Sequence, residues 1–512
     1  MLTLKTLIFN GIDASPVDVQ IQAVGNLPDF SIIGLADKSV TESRERIKNA
    51  FAAMNISMPV KKITVNLAPS DMEKSGAHFD LPIMCAILSV MELLPADILT
   101  KYVIMGEIGL DGTILKTGGV LPASVWANNQ KLGIICPAEN GAEARWAGGL
   151  DIIAPKNIHE LINHFNGRQI LPAPQMTRHI PSGNASGDLS EIRGQESAKR
   201  ALEIAAAGGH AMLMVGPPGS GKTMIASRLP TIMPQMTPTE ILDSSIIYSI
   251  AGRLDANTLV SVRPFRAVHH TASAVALAGG GSDARPGEIS LAHNGILFLD
   301  ELPEFNRATL EILRQPMESG KIMISRAKRN ATYPAKFQLI AAMNPCPCGH
   351  LGNAALSCTR APRCAEAYQN KVSGPLMDRI DIHVDVDPVN PWDMATVTPG
   401  ETSDAVRKRV IAARARQLFR SQKLFGLDIL NAHLDGKYLD GVVKLGAAEL
   451  EFLNTAAEKM NVSARGYQRI KRLARTIADL ADREEIIISD IAEALTYRQF
   501  NRGKYSINNG VV

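Results

Sequence analysis

Along residues 1–168, short runs typical of strands alternate with segments in which apolar residues recur at helical spacing. Short runs rich in β-branched residues, such as residues 62–67, 102–108 and 134–136, predict buried strands. Between them, apolar residues recur at helical spacing in residues 38–54 and 81–94, which predicts helices. This order of elements predicts an α/β or α+β domain at the start of the chain.

The rest of the chain divides at a stretch without hydrophobic periodicity. Residues 171–187 are rich in Pro, Gly, Ser and Asn, which is typical of a linker. Strand and helix patterns then alternate from residue 191 to 387, and beyond residue 404 the pattern is mostly helical, with candidate helices at 463–481 and 489–500. We therefore predict an N-terminal domain at 1–168, a linker at 169–187, an α/β core at 188–400 and a helical domain at 401–512.

Composition supports a multidomain globular protein. The chain has 512 residues, and at about 150 residues per domain two to four domains are expected. A formal charge of +3 excludes a polycation or a long acidic tail, but it leaves room for a local nucleic-acid surface. Aromatic residues make up only 5%, which argues against extensive base stacking.

The sequence also predicts where the protein works. Six cysteines in a chain of this length do not form the dense pattern of a secreted disulfide scaffold. The N-terminus shows no basic segment followed by an apolar run and a small-residue cleavage site. The longest apolar stretch, residues 81–91, is shorter than the roughly 18 residues of a membrane span. We expect a soluble, cytoplasmic protein without a membrane partner.

A phosphate-binding loop stands at the start of the α/β core. Residues 212–215 predict a buried strand, and the motif GPPGSGKT and a helix pattern follow directly. In a P-loop, backbone N–H groups and the helix N-terminus surround the phosphates, a lysine reaches the β and γ phosphates, and a Thr hydroxyl binds Mg²⁺. A chance glycine-rich turn is the alternative, which the complete motif in its strand–helix context disfavours. We expect ATP to be bound by Gly216, Pro217, Pro218, Gly219, Ser220, Gly221, Lys222 and Thr223.

Two further strands end in polar residues suited to ATP hydrolysis. The apolar run 296–299 ends at Asp300 and Glu301, where Asp300 can bind Mg²⁺ through water and Glu301 can polarise the attacking water. A second run, 338–343, ends at Asn344, which can orient the water or the γ-phosphate, although an Asn before proline is more often a turn residue. Together with the P-loop, these residues predict an ATPase and do not say what it drives.

Longer ordered motifs surround these strands. Residues 263–271 read RPFRAVHHT, residues 279–281 are GGG, residues 286–295 read PGEISLAHNG, and residues 374–381 read GPLMDRID, followed by an arginine-rich segment at 463–480. This set resembles the magnesium-chelatase-like AAA+ ATPases. With the N-terminal domain included, the chain resembles the YifB/ComM branch over nearly its whole length.

The resemblance implies a fold and two arginine roles. The fold is a P-loop AAA+ core with a C-terminal helical lid, preceded by an α+β Lon-protease-like (ribosomal S5-like) domain. Arg379 resembles the arginine finger that reaches the γ-phosphate of a neighbouring subunit, and Arg465 resembles the lid arginine that contacts nucleotide in its own subunit. Without the resemblance, both would be interpreted as solvated charges. A finger acting between subunits implies a ring, and the family implies a homohexamer.

The N-terminal segments that resemble Lon lack its catalytic pair. His78 or a neighbouring residue stands at the position of the serine nucleophile, and the expected lysine falls near Pro122. Lys74 and Ser75 are adjacent in sequence, so their side chains need not converge. We predict a scaffold or substrate-handling role without peptidase activity.

A cysteine cluster lies between Asn344 and Arg379. Four thiolates suit a tetrahedral Zn²⁺ site, and His350 is a possible substitute ligand. The spacing is irregular, because Arg360 stands where the YifB/ComM pattern tends to place a second close cysteine, so free thiols are the alternative. The candidate zinc ligands are Cys346, Cys348, Cys358 and Cys364.

Two basic segments without acidic residues are candidate DNA surfaces. Residues 321–336 precede the strand that ends at Asn344, where the family carries a hairpin that points into the ring pore. Sixfold symmetry would multiply these charges into a phosphate-binding ring. Residues 465–475 can equally serve the nucleotide and the subunit interface, and either segment alone is more often a solvated surface. No catalytic role follows for His269 or His270.

These observations predict a hexameric AAA+ motor that hydrolyses ATP with Mg²⁺ to move on single-stranded or branched DNA. The resemblance implies a branch-migration helicase in homologous recombination or natural transformation. A magnesium-chelatase-type motor or chaperone subunit is one alternative, although such subunits generally lack a fused Lon-like domain. An ATP-dependent Lon-like protease is the other, and the missing catalytic pair disfavours it.

Overall fold

The computed structural model describes ten stretches of the chain. They are residues 2–25, 28–34, 37–175, 187–255, 258–281, 284–326, 329–349, 351, 363–388 and 400–498. A seven-stranded sheet, a five-stranded sheet and a helical region follow one another along these residues. The mixed α/β fold with a helical C-terminal region, expected from the sequence, is confirmed.

The first sheet begins with an antiparallel hairpin joined by a two-residue loop. Its strands alternate buried and exposed positions because one face packs on helices, as residues 62–68 illustrate. The strands are β1 (Leu2–Asn10), β2 (Asp13–Val24), β3 (Asp29–Ile33), β4 (Lys62–Ala68), β5 (Tyr102–Ile104), β8 (Gly133–Ile135) and β9 (Ile152–Ile153), in the order β3-β4-β2-β1-β5-β8-β9. A small hairpin pairs β6 (Glu107–Ile108) with β7 (Ile114–Leu115).

Six helices accompany this sheet. They are α1 (Lys38–Ala53), α2 (Asp80–Val90), α3 (Ala96–Leu99), α4 (Val120–Asn129), α5 (Gly141–Arg145) and α6 (Ile158–Phe165). Helix α2 is apolar on all sides and ten of its residues are buried, so it forms the centre of this core. It ends before the predicted residue 94, because Glu92 adopts a left-handed backbone conformation with φ of 62°.

The predicted strand 102–108 is two strands. Gly106 interrupts it, because its backbone N–H donates to the His78 carbonyl and its own carbonyl accepts from Leu81 N–H at 3.0 Å. At this point the backbone groups of Gly106 form hydrogen bonds with the start of α2 in place of the hydrogen bonds that would continue the sheet.

The second sheet is entirely parallel. The strand order is β11-β14-β17-β10-β18, and the three central strands are fully buried, as expected for a sheet covered on both faces. They are β10 (Met212–Val215), β11 (Phe265–Val268), β14 (Ile296–Leu299), β17 (Gln338–Met343) and β18 (Ile382–Asp385). All five carboxyl ends therefore lie at one edge of the sheet.

Nine helices and two hairpins complete the described part of this region. The helices are α7 (Glu196–Gly208), α8 (Lys222–Ile232), α9 (Pro238–Ile250), α10 (Ala274–Ala278), α11 (Glu288–Leu291), α12 (Arg307–Glu311), α13 (Arg314–Ser319), α14 (Arg363–Gln369) and α15 (Gly374–Met377). The hairpins pair β12 (Gly279–Gly280) with β13 (Arg285–Pro286), and β15 (Lys321–Arg326) with β16 (Arg329–Pro334). The β15–β16 hairpin leaves the sheet between β14 and β17.

Helices form the C-terminal region. They are α16 (Ser403–Phe425), α17 (Gly436–Val442), α18 (Ala447–Lys459), α19 (Ala464–Leu480) and α20 (Ile488–Thr496). The last two match the helices predicted at 463–481 and 489–500, except that residues 499–512 lie outside the described part. Val410 and Leu473 share one apolar core with Ala205 of α7 and Met212 of β10, so this region packs directly on the parallel sheet.

The first sheet also contacts the second region. Ser249 of α9 accepts a hydrogen bond from Gly119 N–H through its carbonyl, and its hydroxyl donates to buried Glu143 at 2.5 Å. Burial raises the pKa of Glu143. No helix in the described residues has the length and apolar character needed to cross a membrane.

Candidate active site

The P-loop connects β10 to α8, and its lysine is bound by the loop itself. Lys222 Nζ donates to the carbonyls of Gly216 at 2.7 Å and Pro217 at 2.8 Å. Gly219 and Gly221 have φ of 78° and 88°, the left-handed conformation that lets the loop turn back over the helix N-terminus. Desolvation lowers the pKa of Lys222, which remains beside the acidic pair after β14.

Thr223 and Asp300 meet as the sequence predicted. The Thr223 hydroxyl donates to Asp300 Oδ2 at 2.8 Å, and Asp300 Oδ1 accepts from the Glu301 N–H at 2.9 Å. A hydroxyl oxygen and a carboxylate oxygen side by side at a helix N-terminus are hard donors of the kind Mg²⁺ prefers. These two residues therefore fit the magnesium ion that the motif implies.

Asn344 faces the same loop from the neighbouring strand. It follows β17, which pairs in parallel with β10, and its Oδ1 accepts from Lys222 Nζ at 3.3 Å. The structure thus brings together the lysine, the threonine, the aspartate and the asparagine that the sequence singled out, all at the carboxyl edge of the sheet.

Glu301 turns away from Asp300 toward a histidine that sequence reasoning left without a role. The backbone of Glu301 is left-handed, with φ of 52°, and its carboxylate lies 3.1 Å from His270 Nδ1. His270 follows β11, the strand that pairs in parallel with β14. That strand order was the signal that could have placed His270 next to Glu301.

Both predicted arginines line a cavity of about 480 Å³, which we call the arginine cavity. Its wall includes Ala211 before β10 and Asp381 before β18, so it opens at the amino edge of the parallel sheet. The P-loop lies at the other edge, about 13 Å away along four residues of strand. The cavity is lined by Gly209, Ala211, Met317, Glu318, Phe337, Leu339, Arg379, Asp381, Ala432, His433, Asp435, Arg465, Gln468, Arg469 and Arg472.

Arg465 does not lie where the sequence interpretation placed it. It was expected to contact nucleotide in its own subunit, but the structure puts it in the arginine cavity, away from the P-loop of the same chain. The reason is the packing of α19, which sets its N-terminal turn against the amino edge of the sheet, beside the Arg379 segment.

Arg379 is held by groups from three parts of the chain. Its guanidinium donates to the Pro375 carbonyl at 2.7 Å and forms an ion pair with Glu318 of α13. Its own carbonyl accepts from Arg469 at 2.8 Å, and Arg469 also pairs with buried Asp381. Although burial disfavours the charged carboxylate, Arg469 lowers the pKa of Asp381. The sequence indicated Arg469 only as a member of the basic segment 465–475, and it did not indicate Glu318.

The second basic segment faces inward. Arg475 is 3% exposed, pairs with Asp479 at 3.0 Å and donates to the carbonyls of Arg483 and Glu484. Arg472 donates to the Ala432 carbonyl at 3.2 Å. Arg472 and Arg475 are thus engaged by contacts within the chain, and Arg465, Arg469 and Arg472 line the arginine cavity, which favours the subunit-interface interpretation of this segment over a DNA surface.

The cysteine cluster is described only in part. Cys346 and Cys348 have Sγ atoms 3.2 Å apart, and the next residue, Gly349, lies so close to the P-loop that a Cβ there would be 2.4 Å from Pro218. Cys358 and His350 lie outside the described residues. Within the described ranges, no three potential ligands among His, Cys, Asp and Glu converge, so the predicted zinc site has no support there.

In the Lon-like segment, the side chain of Lys74 is engaged by the backbone. Lys74 is buried, its Nζ donates to the Pro69 carbonyl, and desolvation lowers its pKa. His78 Nε2 lies 3.0 Å from the Leu7 carbonyl oxygen, and Pro122 is buried in α4. The absence of peptidase activity stays a prediction.

Three family models match the chain. Residues 188–394 match "Magnesium chelatase, subunit ChlI", residues 17–140 match "Subunit ChlI of Mg-chelatase", and residues 400–498 match "Magnesium chelatase, subunit ChlI C-terminal".

Two relatives resemble the chain over nearly its full length. The uncharacterised protein YifB of Salmonella typhimurium is 40% identical over 494 residues, 96% of this chain and 96% of that protein. The competence protein ComM of Haemophilus influenzae is 40% identical over 506 residues, 98% of this chain and 97% of ComM. The magnesium-chelatase 67 kDa subunit of Chlorobaculum parvum is 25% identical over 247 residues, 45% of this chain and 33% of that subunit.

Proposed function

Because the chain belongs to the YifB/ComM family of magnesium-chelatase-like AAA+ ATPases, we propose that it is a ring-shaped ATPase motor that acts on DNA. The observation that carries the proposal is the division of the phosphate-binding charges between two edges of one sheet. Lys222 lies at the carboxyl edge, while Arg379 and Arg465 lie at the amino edge. A complete site therefore needs two copies of the chain.

At the P-loop, the roles of the residues follow from their contacts. Lys222 exchanges its carbonyl partners for the β and γ phosphates, and Thr223 and Asp300 bind Mg²⁺, which neutralises charge on the phosphates. Glu301 polarises the attacking water after its carboxylate turns from His270, and Asn344 orients that water or the γ-phosphate.

Arg379 and Arg465 act on the nucleotide of the neighbouring subunit. Arg379 Nε is buried and has no hydrogen-bond partner within the described residues, so it keeps a donor for an incoming phosphate oxygen. Six such interfaces close a homohexamer, the assembly that the family resemblance implies.

The β15–β16 hairpin supplies the proposed contact to DNA. Its sequence carries Lys321, Arg326, Lys328, Arg329 and, just after it, Lys336, without an acidic residue. Repetition around a ring gathers these charges at one axis, where they bind backbone phosphates. One full-length relative is named a competence protein, which favours branch migration in the recombination of transforming DNA, a process of the cytoplasm.

A chelatase-type motor subunit is the second candidate. The family models carry that description, but the chelatase subunit itself matches less than half of this chain, whereas YifB and ComM match nearly all of it. The missing Lon catalytic pair disfavours a protease, because His78 stands at or near the nucleophile position and Pro122 near the lysine position.

The test is ATP hydrolysis by the full chain with single-stranded DNA, duplex DNA and a four-way junction. We expect DNA to stimulate turnover and its binding to weaken as salt increases. Replacement of Arg326, Lys328 and Arg329 by alanine should remove the stimulation and flatten the salt dependence. The control removes three exposed charges of the helical domain instead, Lys408, Lys423 and Lys444. Hydrolysis that no DNA stimulates, with no DNA bound at low salt, would exclude the DNA role and leave the chelatase alternative.

A further inference from the structure

The floor of the arginine cavity is the base of the β15–β16 hairpin. Met317 and Glu318 precede the hairpin, Phe337 follows it, and all three line the cavity together with Arg379. A group that enters this cavity therefore touches both the proposed arginine finger and the two points where the hairpin joins the core.

Glu318 connects Arg379 to the base of the β15–β16 hairpin. Its carboxylate pairs with the Arg379 guanidinium, and its side chain is 62% exposed. The Arg379 side chain is only 9% exposed, but the carboxylate that faces it is solvated, and a phosphate with its higher charge is a stronger bidentate partner for a guanidinium than a carboxylate is. The Glu318 contact is therefore one that a nucleotide phosphate can replace.

The segment between Glu318 and the hairpin consists of two residues, and both form hydrogen bonds with neighbouring parts of the chain. Gly320 ends α13 in a left-handed conformation, with its N–H donating to the Pro316 carbonyl, and its carbonyl accepts from Ala335 N–H at 2.8 Å. The Ser319 hydroxyl donates to the Lys321 carbonyl at 3.0 Å. Because these hydrogen bonds restrain Ser319 and Gly320, a shift of Glu318 reaches the start of β15 and, through Ala335, the end of β16.

We infer that Glu318 holds Arg379 at the hairpin base until a phosphate of the neighbouring subunit's nucleotide replaces Glu318 as the partner of Arg379. ATP binding across the interface thereby changes the contacts at the base of the hairpin. Glu318 is a positioning residue in this scheme, since it acts through Arg379. The inference rests on the proposed function, because it requires a nucleotide at the subunit interface.

Hydrogen–deuterium exchange of the hairpin base measures this coupling. The background is Glu301→Gln, which is expected to retain ATP without turnover. In it, exchange of the backbone amides in residues 319–337 should rise when ATP replaces ADP, because Glu318 is released. Adding Arg379→Ala should abolish the difference. Adding Glu318→Gln should also abolish it, with exchange high in both nucleotide states.

The matched control is Glu196→Gln in the same background. Glu196 is 79% exposed and pairs with Lys199 at 3.1 Å, far from the cavity in sequence and absent from its lining. It should preserve the ADP–ATP difference. Circular dichroism spectra that match the parent protein establish that each variant is folded.

Several outcomes overturn the inference while the ATPase proposal stands. One is an undiminished difference with Glu318→Gln, another is loss of the difference with Glu196→Gln, and a third is bound ATP without any change at the hairpin base. If the protein binds no ATP, the proposed function itself fails and this inference fails with it.

Discussion

Glu301 has a left-handed backbone, which costs a residue with a side chain about 1–2 kcal/mol. The left-handed backbone at Glu301 ends the extended run of β14 and turns the chain directly after Asp300. Asp300 faces the Thr223 hydroxyl, and Glu301 faces His270. One carboxylate is thus directed to the proposed metal site and the other to His270, from which it must turn to meet the proposed water.

At the same scale, His293 predicts how the stability of the folded protein depends on pH. Its Nδ1 accepts the Lys336 N–H at 3.0 Å, and burial lowers its pKa to about 4. The unfolded chain takes up this proton near pH 6.5, whereas the folded protein resists it until about pH 4. Stability should therefore fall as the pH decreases from 6.5 toward 4, by up to about 1.4 kcal/mol per unit.

The measurement is the thermal midpoint at pH 7 and pH 5 for the wild type and for His293→Asn, whose side-chain oxygen can accept the same N–H. The variant should lose less stability between the two values than the wild type does. Equal losses would mean that His293 does not contribute to the acid sensitivity.

At the scale of elements, the β15–β16 hairpin is packed on both sides by parts of the chain that are distant in sequence. Its inner residues Ile324 and Tyr333 belong to the core of the parallel sheet, and the Tyr333 hydroxyl donates to the Ala284 carbonyl. On the other side lies the loop between β1 and β2, where Gly11 approaches the backbone of Thr332. The N-terminal domain thus supports the hairpin directly.

Gly11→Ala tests this contact. Gly11 has φ of 67°, and a Cβ there would lie 2.1 Å from the Thr332 carbonyl oxygen. Gly167→Ala is the control, because Gly167 has φ of 70° and no atom within 4 Å of the added Cβ. The control should cost about 1 kcal/mol of unfolding free energy from backbone strain alone. Gly11→Ala should lower the free energy of unfolding, measured by denaturant titration, by at least twice as much as the control does. Equal losses would show that the backbone at Thr332 moves aside without cost.

At the scale of the whole molecule, each chain carries the two separate parts of the proposed nucleotide site. The P-loop lies at one edge of the parallel sheet and the arginine cavity at the other, and Asp381, Arg469 and His210 fix the cavity side through buried contacts. A monomer cannot bring these halves together, so the proposed activity belongs to the assembly.

Mixing subunits tests this arrangement. Lys222→Ala should lose nucleotide binding, and Arg379→Ala should lose about 10³-fold in turnover. Random mixtures of the two should recover about a quarter of wild-type interfaces, because a functional interface needs the P-loop of one variant and the arginine of the other. The measurement is ATP hydrolysis across mixing ratios. Activity no greater than the sum of the separate variants would contradict a site shared between subunits.

The local parts of the site followed from the sequence because their chemistry is contiguous. The P-loop needs one strand, one turn and one helix start, and the acids after β14 need only the apolar run before them. The helices at 38–54 and 463–481 were predicted for the same reason, since their apolar spacing is a local property. Interruption of the strand at Gly106 escaped prediction, because its cause is a bond to the distant start of α2.

What the sequence determined by itself is the fold class, the P-loop motif whose residues are proposed to bind phosphate, and the membership of the arginines in a known pattern. Only the tertiary structure decided that Arg465 lies with Arg379, that Glu318 pairs with the latter, and that His270 meets Glu301. These contacts join elements that are distant along the chain. Their distances depend on the order of the strands and on how α19 packs against the sheet, and neither is encoded in any single stretch of residues.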